Sequence, residues 1–287
     1  MPYPMRQLRR AEFPALLREI PDCPKKLYIR GTLPPPETVL LCVVGSRRTS
    51  MYGVRTVAQL IAGLARHPVA IVSGLALGID AEAHKAALDV GLPTVAVVPS
   101  SADEASLYPS SNRPLAHRIL ARGGAILSEN DPPFKAMLHS FAQRNRIMAG
   151  MSQATLIVEA GEKSGTLITA RLALDYNREV MGVPHELGRA SGVGVNRLLR
   201  EGATLVRDAD DILQVLGFAV SDKPTQQVLP TDLNEYEIKV LHAITGAHVR
   251  DELIEYIGLS AQVANIALSS LLIRGLIIER LGKIERV

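Results

Sequence analysis

The chain has 287 residues, 47% of them hydrophobic, so it is long enough for one large domain or for a large and a small one. Its net charge at pH 7 is only +3, so any basic surface must come from local clustering. Two cysteines without CxxC spacing argue against a disulfide scaffold and a zinc site. The polar, basic N-terminus and the lack of an apolar run near the ~20 residues of a membrane span favour a cytoplasmic protein.

The first 217 residues alternate between strand and helix patterns. Residues 1–36 are an N-terminal extension ending in a proline-rich stretch, and residues 37–217 follow as one domain. Apolar runs rich in Val and Ile predict strands at residues 39–44, 69–73, 94–98, 125–128, 154–159, 179–183 and 204–206. Helical patterns lie at residues 54–65, 80–90, 112–121, 138–149, 166–176 and 195–201. This order predicts an α/β fold with an extended Rossmann-like, doubly wound and mostly parallel sheet.

The last part of the chain differs in pattern and in charge. Residues 218–231 are polar and predict a linker, and residues 232–287 show three short helices and a hairpin, which predict a small C-terminal winged helix. From Asp232 onward there are six Lys or Arg and eight Asp or Glu, a net charge of −2, which leaves +5 for the rest. The third helix, residues 261–272, has no cation for a phosphate backbone. We therefore interpret the winged helix as a protein-interaction or covering module, with DNA binding as the alternative.

A glycine turn and two cations follow the first predicted strand of the domain. Gly45 and Ser46 form the turn, Arg47 and Arg48 come next, and a helical pattern follows. Ligands of parallel sheets bind at the carboxyl ends of the strands, where such loops gather. A helix start binds anions and arginines fork onto phosphate oxygens, so we interpret this motif as a phosphate cradle. The alternative is an ordinary strand-to-helix turn with a solvated arginine pair.

Two other strand ends add weaker signals at the same edge. Ser73 and Gly74 allow a tight turn with close approach of a ligand, although turn geometry alone explains them equally well. Asp80 is a plausible N-cap of the next helix, and His84 is expected to be a hydrogen-bonded structural histidine.

The loop after the strand 154–159 has the composition of a second anion nest. Its residues combine a cation, two hydroxyls and a glycine: Lys163, Ser164, Gly165 and Thr166. The spacing is not that of a nucleotide-hydrolysing phosphate loop, so ATP hydrolysis is not expected. The pair Gly192 and Gly194 lacks the third glycine of a dinucleotide fingerprint, so NAD binding is not expected. We expect no cofactor, no metal and no catalytic residue.

A third cluster combines an aromatic residue with two arginines. Phe141 precedes Arg144, Asn145 and Arg146 in a helical segment. Arginines two positions apart point to different sides of a helix, so one is expected to face the sheet edge and contact phosphate. The other is expected to form a structural ion pair, with Glu129 or Glu159 as candidates. Phe141 is either a platform on which bases stack or a core residue.

Together these motifs resemble the DprA or Smf family of bacterial DNA-processing proteins. The resemblance spans about residues 13–213, and its motifs are specific in aggregate. The matching residues are Gly45-Ser46-Arg47, Tyr52-Gly53, Ser73-Gly74-Leu75-Ala76, Gly78-Ile79-Asp80, Ala83-His84, Tyr108-Pro109, Asn112, Ser128-Glu129, Phe141, Arg144-Asn145-Arg146-Ile147, Val158-Glu159-Ala160, Ser164-Gly165-Thr166-Leu167-Ile168-Thr169-Ala170-Arg171, Val183-Pro184 and Gly202-Ala203. The tail resembles the winged helix that many members carry, whereas the usual N-terminal helical domain is not expected here.

The resemblance implies a protein that binds single-stranded DNA without sequence specificity. It also implies protection of incoming DNA, loading of the RecA recombinase during natural transformation, and homodimerisation through the Rossmann-like domain. The arginine of the family's Gly-Ser-Arg lines the DNA pocket, a role that transfers to Arg47. Two departures concern the pocket rim: His185 follows Val183-Pro184 where a glycine is usual, and Pro99-Ser100-Ser101 replaces a glycine-rich turn.

The main rival is a phosphoribohydrolase of the lysine-decarboxylase-like type, which acts on nucleoside monophosphates. That family is similar in its Gly-Thr loop and carries a glutamate that assists cleavage at the sugar. Here the corresponding position after Gly165 and Thr166 is Thr169, which has no carboxylate for acid/base or cation-stabilising chemistry. We therefore expect a binding protein rather than an enzyme.

The apolar residues near the end of the domain suggest where a dimer forms. Leu205, Ile212, Leu213, Val215 and Leu216 offer more apolar surface than a terminal helix before a polar linker needs. We expect a symmetric interface there. The alternative is that this stripe packs on the chain's own sheet.

Overall fold

The computed structural model describes residues 3–219, 233–244, 248–280 and 282–286, which fall into two units, residues 1–220 and 221–287. The strands of the first unit are β1 (Arg6–Gln7), β2 (Tyr28–Gly31), β3 (Val39–Val44), β4 (Val69–Ser73), β5 (Thr94–Val97), β6 (Ala125–Ser128), β7 (Ala154–Ile157), β8 (Glu179–Gly182) and β9 (Thr204–Leu205). They form a nine-stranded sheet in the order β1-β2-β6-β5-β4-β3-β7-β8-β9. From β6 to β9 every pairing is parallel, and β2 and β1 add an antiparallel edge.

Helices cover both faces of this sheet. They are α1 (Ala15–Glu19), α2 (Met51–Gly63), α3 (Ile79–Asp89), α4 (Arg113–Ala121), α5 (Leu138–Met151), α6 (Thr166–Asp175), α7 (Val193–Arg200) and α8 (Ala209–Val215). The alternation along β3 shows why both faces are apolar: Leu41 and Val43 pack in one core cluster, and Cys42 and Val44 pack in another. The predicted doubly wound, mostly parallel α/β sheet is confirmed.

The strand order reverses between β3 and β7. The chain adds β4, β5 and β6 on one side of β3, and β7, β8 and β9 on the other. At such a switch point the loops at the carboxyl ends of the two strands diverge and leave a crevice for a ligand. The Gly45 loop follows β3 and the Lys163 loop follows β7, so both lie at this edge, as expected from the sequence.

The apolar stripe predicted to form a dimer interface lies largely inside the chain's own core. Ile212, Leu213 and Leu216 are buried in the cluster that also contains α2. Gly63 of α2 approaches α8 so closely that an added Cβ would lie 2.3 Å from the Cβ of Ala209. The prediction is therefore wrong for these three residues, because the small pair lets α8 dock on α2 and cover them. Leu205 is exposed and Val215 is half-buried.

The second unit consists of α9 (Glu235–Ala243), β10 (His248–Val249), α10 (Arg250–Ile257), α11 (Ala261–Ile273), β11 (Ile277–Arg280) and β12 (Lys283–Arg286). Its three strands form an antiparallel sheet in the order β10-β12-β11, an arrangement compatible with the predicted winged helix. Leu268 and Leu271 of α11 lie in its core, whereas Ile266 is 64% exposed.

The division into an extension, a domain, a linker and a winged helix stays a prediction. The predicted linker 218–231 lies outside the described residues except for residues 218 and 219. Within the described ranges no single helix is long and apolar enough to cross a membrane; α10 and α11 meet that test only as a pair bent by 118°.

Candidate nucleic-acid interface

The loop after β3 is a tight turn that directs two arginines outward. The hydroxyl of Ser46 accepts a hydrogen bond from the Arg48 backbone N–H at 3.1 Å and donates one to the Arg48 carbonyl at 3.0 Å. The Ser46 carbonyl also accepts from the Ile79 N–H at 3.1 Å. An added Cβ on Gly45 would lie 2.6 Å from Cγ1 of Ile79, so only glycine lets α3 approach this closely. Arg47 and Arg48 are consequently both exposed on a rigid turn.

The guanidinium of Arg47 lies over the face of Phe141. The distance from its central carbon to the ring centroid is 4.7 Å, which is a cation–π geometry. Phe141 is half-buried in the first turn of α5, and Tyr108 meets its ring edge-on at 5.8 Å between centroids. These three side chains line a small cleft with Gly74, Ala76, Leu77, Pro99, Pro109 and Arg144. The platform role of Phe141 stays a prediction, and the structure places its ring beside Arg47 and outside the core clusters of the described residues.

Arg144 lies beneath this cleft and joins two strand ends. It is 5% exposed, and its Nη1 donates to the carbonyls of Gly74 and of Val97, the latter at 2.7 Å. Its Nε donates to Oδ1 of Asn145 at 3.1 Å. Burial lowers the pKa of Arg144, and the charge of Asp80 opposes that effect. An arginine stays protonated in such a site, so Arg144 brings a fixed positive charge to the floor of the cleft.

Arg146 occupies a different environment from Arg144. Its Nη2 pairs with Glu129 and its Nη1 donates to the carbonyl of Asp22. The side chain is 16% exposed, and Arg146 is not among the residues that line the cleft. The expected structural ion pair with Glu129 is therefore present. A DNA contact by Arg146 stays a prediction, and its guanidinium would have to make that contact while bonded to Glu129 and Asp22.

The turn after β4 is packed against the arginine. An added Cβ on Gly74 would lie 1.9 Å from Nη1 of Arg144, which is why this position carries glycine. The Gly74 N–H donates to Oδ2 of Asp80 at 3.1 Å. Burial raises the pKa of Asp80, and Arg144 and backbone N–H groups oppose that rise. The hydroxyl of Ser73 donates to the Val43 carbonyl at 2.6 Å and is fully buried, so its place is in the scaffold and not in the cleft.

Two expectations for α3 have different outcomes. The helix begins at Ile79 after Gly78, so Asp80 lies in the first turn and is not the N-cap as predicted. The reason is that its carboxylate is held by the Gly74 N–H of the preceding loop. His84 is the expected structural histidine: it is fully buried, and its Nδ1 lies 2.7 Å from the hydroxyl of Thr94. Burial first, and then Arg144, lowers the pKa of His84 to about 3, so the ring is neutral at pH 7.

The start of α2 already holds an anion, the carboxylate of Glu159. This residue follows β7, is fully buried and accepts from the Ser50 N–H at 3.0 Å, the Thr49 hydroxyl at 2.9 Å and the Ser50 hydroxyl at 2.5 Å. An added Cβ on Gly53 would lie 2.6 Å from Oε2 of Glu159. The protein's own carboxylate therefore takes up part of this helix start, and the phosphate cradle at the Gly45 turn stays a prediction. Arg47 and Arg48 remain available on the turn above it.

The loop after β7 is more open. Lys163 is exposed, Gly165 is the N-cap of α6, and an added Cβ on Gly165 would meet no atom within 4 Å. The Ser164 hydroxyl accepts from the Thr166 N–H at 3.2 Å, and Thr166 is 9% exposed. The Ser164 N–H also donates to the Gly161 carbonyl at 3.2 Å, so two N–H groups of the expected nest are already paired within the loop, and its role as an anion site stays a prediction.

The two departures at the rim are accommodated by internal contacts. The Ser101 hydroxyl accepts from the Phe134 N–H at 2.8 Å, and the Ser100 carbonyl accepts from Ser128. His185 places Nε2 2.8 Å from the Val158 carbonyl, and its backbone N–H donates to Oδ1 of Asn196 at 3.1 Å.

Sequence reasoning missed Tyr108 and a second aromatic group as parts of this edge. Tyr52 donates to the Pro184 carbonyl at 3.0 Å, the ring of His185 meets it edge-on at 5.2 Å, and Arg189 lies 5.7 Å from its centroid. Tyr52 and Tyr108 stood in the motifs of the resemblance, but nothing in their spacing signals a partner on a distant loop.

Comparison with known proteins agrees with these observations. A family model described as DNA recombination-mediator protein A matches residues 5–217. Protein Smf of Escherichia coli is 38% identical over 208 residues, which cover 72% of this chain and 55% of that protein. A putative DNA processing protein DprA of Mycobacterium tuberculosis is 40% identical over 207 residues, or 71% of this chain and 52% of that protein. The chain thus spans about half the length of these curated relatives.

Two solved structures share the fold of the first unit. DNA processing protein A of Streptococcus pneumoniae is 35% identical with a TM-score of 0.69, and the match covers 76% of this chain and 75% of that one. DNA processing protein A of Helicobacter pylori, which was described for its single-stranded DNA binding mode, is 31% identical with a TM-score of 0.65, covering 75% and 96%. Because the family model matches residues 5–217, most of the chain, this chain belongs to the DNA recombination-mediator protein A family.

Proposed function

We propose that this protein binds single-stranded DNA without sequence preference at the carboxyl edge of its sheet. The observation that carries the proposal is the guanidinium of Arg47, from the loop after β3, over the ring of the half-buried Phe141. An arginine there contacts phosphate oxygens, and an aromatic ring stacks on any base, because every base has a π-face. The Helicobacter pylori relative, described for single-stranded DNA binding, supports this choice of ligand.

The rigidity of the site supports a binding role. Gly45, Gly74 and Arg144 leave the β3 and β4 turns little room to rearrange, so the cation is held in place before a ligand arrives. A preorganised site loses less conformational entropy on binding.

A role as an enzyme is not favoured. At the position where the phosphoribohydrolases carry their glutamate, this chain has Thr169, which is buried at 1% exposure. The carboxylate of the adjacent loop, Glu159, is fully buried and holds the start of α2 instead of facing the cleft. We propose a binding protein that acts in the cytoplasm, protects incoming DNA and loads RecA during transformation, and that functions as a homodimer. The family description as a recombination mediator supports the RecA role.

The binding proposal is tested with oligothymidine and fluorescence anisotropy. Arg47→Ala should weaken binding by about 1–3 kcal/mol, as expected for a charge-assisted contact, and by a similar factor for every sequence. Phe141→Ala should weaken it by about 1–3 kcal/mol through lost stacking. Arg122→Ala is the matched control, since Arg122 is an exposed arginine at the end of α4, away from this edge.

Log affinity should fall with log salt at a slope of about −0.7 per neutralised phosphate. Equal binding by wild type and Arg47→Ala at low salt would exclude this site. For the RecA role, wild type should speed RecA assembly on single strands coated with a competing binding protein, and Arg47→Ala should not.

A further inference from the structure

We propose that Tyr52 and Arg189 form a second nucleotide subsite, so that one strand crosses the sheet edge from Phe141 to Tyr52. This inference rests on the proposed function and adds the path of the strand. We call Arg47 with Phe141 the first platform, and Arg189 with Tyr52 the second platform.

The two platforms have the same construction on opposite sides of the β3 loop. Each places an arginine against an aromatic face, at 4.7 Å in the first and 5.7 Å in the second. The first lies over the ends of β3 to β5, and the second lies between the first turn of α2 and the loop after β8. Four strand spacings separate β5 from β8, or about 19 Å at about 4.8 Å each, a span that a strand of several nucleotides can cover.

Contacts within the protein hold the ring of Tyr52 in place. Its hydroxyl donates to the Pro184 carbonyl at 3.0 Å, and His185 packs against it edge-on. Two large apolar side chains on the same two elements are uncovered: Met51 is 71% exposed and Leu187 is 97% exposed. A held aromatic ring with a cation on its face and apolar neighbours in solvent is what base stacking requires.

Positive charge continues between the platforms. Arg48 and Lys163 are exposed, and within residues 3–219 neither has a carboxylate at ion-pair distance. Two acidic residues oppose this charge, Glu162 beside Lys163 and Glu186 at 3.8 Å from Arg189. The Glu186 side chain is 84% exposed, and such a pair contributes little, so a phosphate can replace it.

The test uses the full chain and two oligothymidines, one of about three nucleotides, too short to reach both platforms, and one of about fifteen, at low salt where both bind best. Arg189→Ala and Tyr52→Leu should weaken binding of the long strand by about five- to tenfold and change the short strand by less than twofold. Tyr52→Phe is the matched control, because it keeps the ring and loses only the bond to Pro184; it should bind like wild type. Arg47→Ala should weaken both lengths.

The results separate this inference from the proposed function. If Arg189→Ala and a folded Tyr52→Leu bind the long strand like wild type while Arg47→Ala does not, the second subsite is refuted and the first stands. Equal weakening of both lengths by Arg189→Ala also refutes it, because the residue would then act on the first platform. If wild type binds neither strand, the proposed function itself fails.

Discussion

The loops after β3 and after β7 carry similar sequence signals but are held very differently. The β3 loop is packed against Ile79, bonded through Ser46 and underlain by Glu159, whose carboxylate reaches across the switch point. The β7 loop leaves Lys163 exposed and Gly165 without close neighbours. A glycine with hydroxyls and cations after a strand therefore predicts a turn, whereas residues far along the chain decide whether the turn is rigid. We expect the β3 loop to dominate binding and the β7 loop to add a peripheral contact.

The largest effect on stability should come from removing the buried carboxylate of Asp80, which supports the rigid loops after β3 and β4; we call these loops the rigid side. Asp80→Ala removes the negative charge that offsets the burial of Arg144 and leaves the Gly74 N–H without its acceptor. Loss of one partner of a buried charge pair costs about 3–5 kcal/mol of unfolding free energy. Urea denaturation at pH 7 measures it, with Asp89→Ala as a control on the exposed end of the same helix. A loss below 1 kcal/mol for Asp80→Ala would show that the rigid side does not depend on this charge.

The rigid side should also make stability depend on pH through His84. Its pKa in the folded protein is about 3 because it is buried, and that of an unfolded histidine is about 6.5. Between these two pKa values the unfolded state binds a proton and the folded state does not. The contribution of neutral His84 to the free energy of unfolding is therefore fully present above pH 6.5 and is lost as the pH falls below 6.5. The free energy of unfolding should fall through this titration by at most about 1.4 kcal/mol per pH unit.

Urea midpoints at pH 7 and pH 5 for wild type and His84→Gln measure this contribution. The variant should show the smaller loss on acidification. His117→Gln is the control, since His117 is exposed. Identical pH slopes for wild type and His84→Gln would rule out this histidine as a source of acid sensitivity.

The comparison also shows what the sequence could and could not predict. Alternation of Val-rich runs with helical patterns was sufficient for the sheet, because burial on both faces leaves a strong local signal. The same alternation correctly predicted that the turn with Arg47 lies at the edge of the sheet formed by the carboxyl ends of the strands. The position of the Glu159 carboxylate at the start of α2 was not predictable, since Glu159 lies 109 residues from Ser50 along the chain.

Contacts between distant residues also explain why the sequence left open which arginine lines the cleft, and why the prediction for α8 was wrong. The position of Arg144 depends on carbonyls at the ends of two other strands, and the burial of Leu213 and Leu216 depends on a glycine in α2. A hydrophobic stripe reads the same in sequence whether its partner is the chain's own helix or a second copy.

A smaller effect on DNA binding is expected from the more open loop after β7. Lys163→Ala should reduce the salt slope of oligothymidine binding by about 0.7, the contribution of one phosphate, and should weaken binding less than Arg47→Ala. Glu162→Gln, at the adjacent exposed position, removes a negative charge and should strengthen binding slightly. Anisotropy titrations over a salt series measure both. An effect of Lys163→Ala equal to that of Arg47→Ala would remove the distinction between the two loops.

The smallest effect should come from removing the second unit. It carries a net charge of −2, and α11 has no Lys or Arg, so it opposes a phosphate backbone instead of releasing counterions from it. Its described residues have their own core around Leu241, Leu268 and Leu271, so the first unit does not depend on them for its own core clusters. A chain that ends at residue 221 should bind oligothymidine within about a factor of three of the full chain, a change below about 0.7 kcal/mol. A tenfold loss, with circular dichroism showing a folded domain, would mean that the second unit contacts DNA and that the basic edge of the first unit is not sufficient.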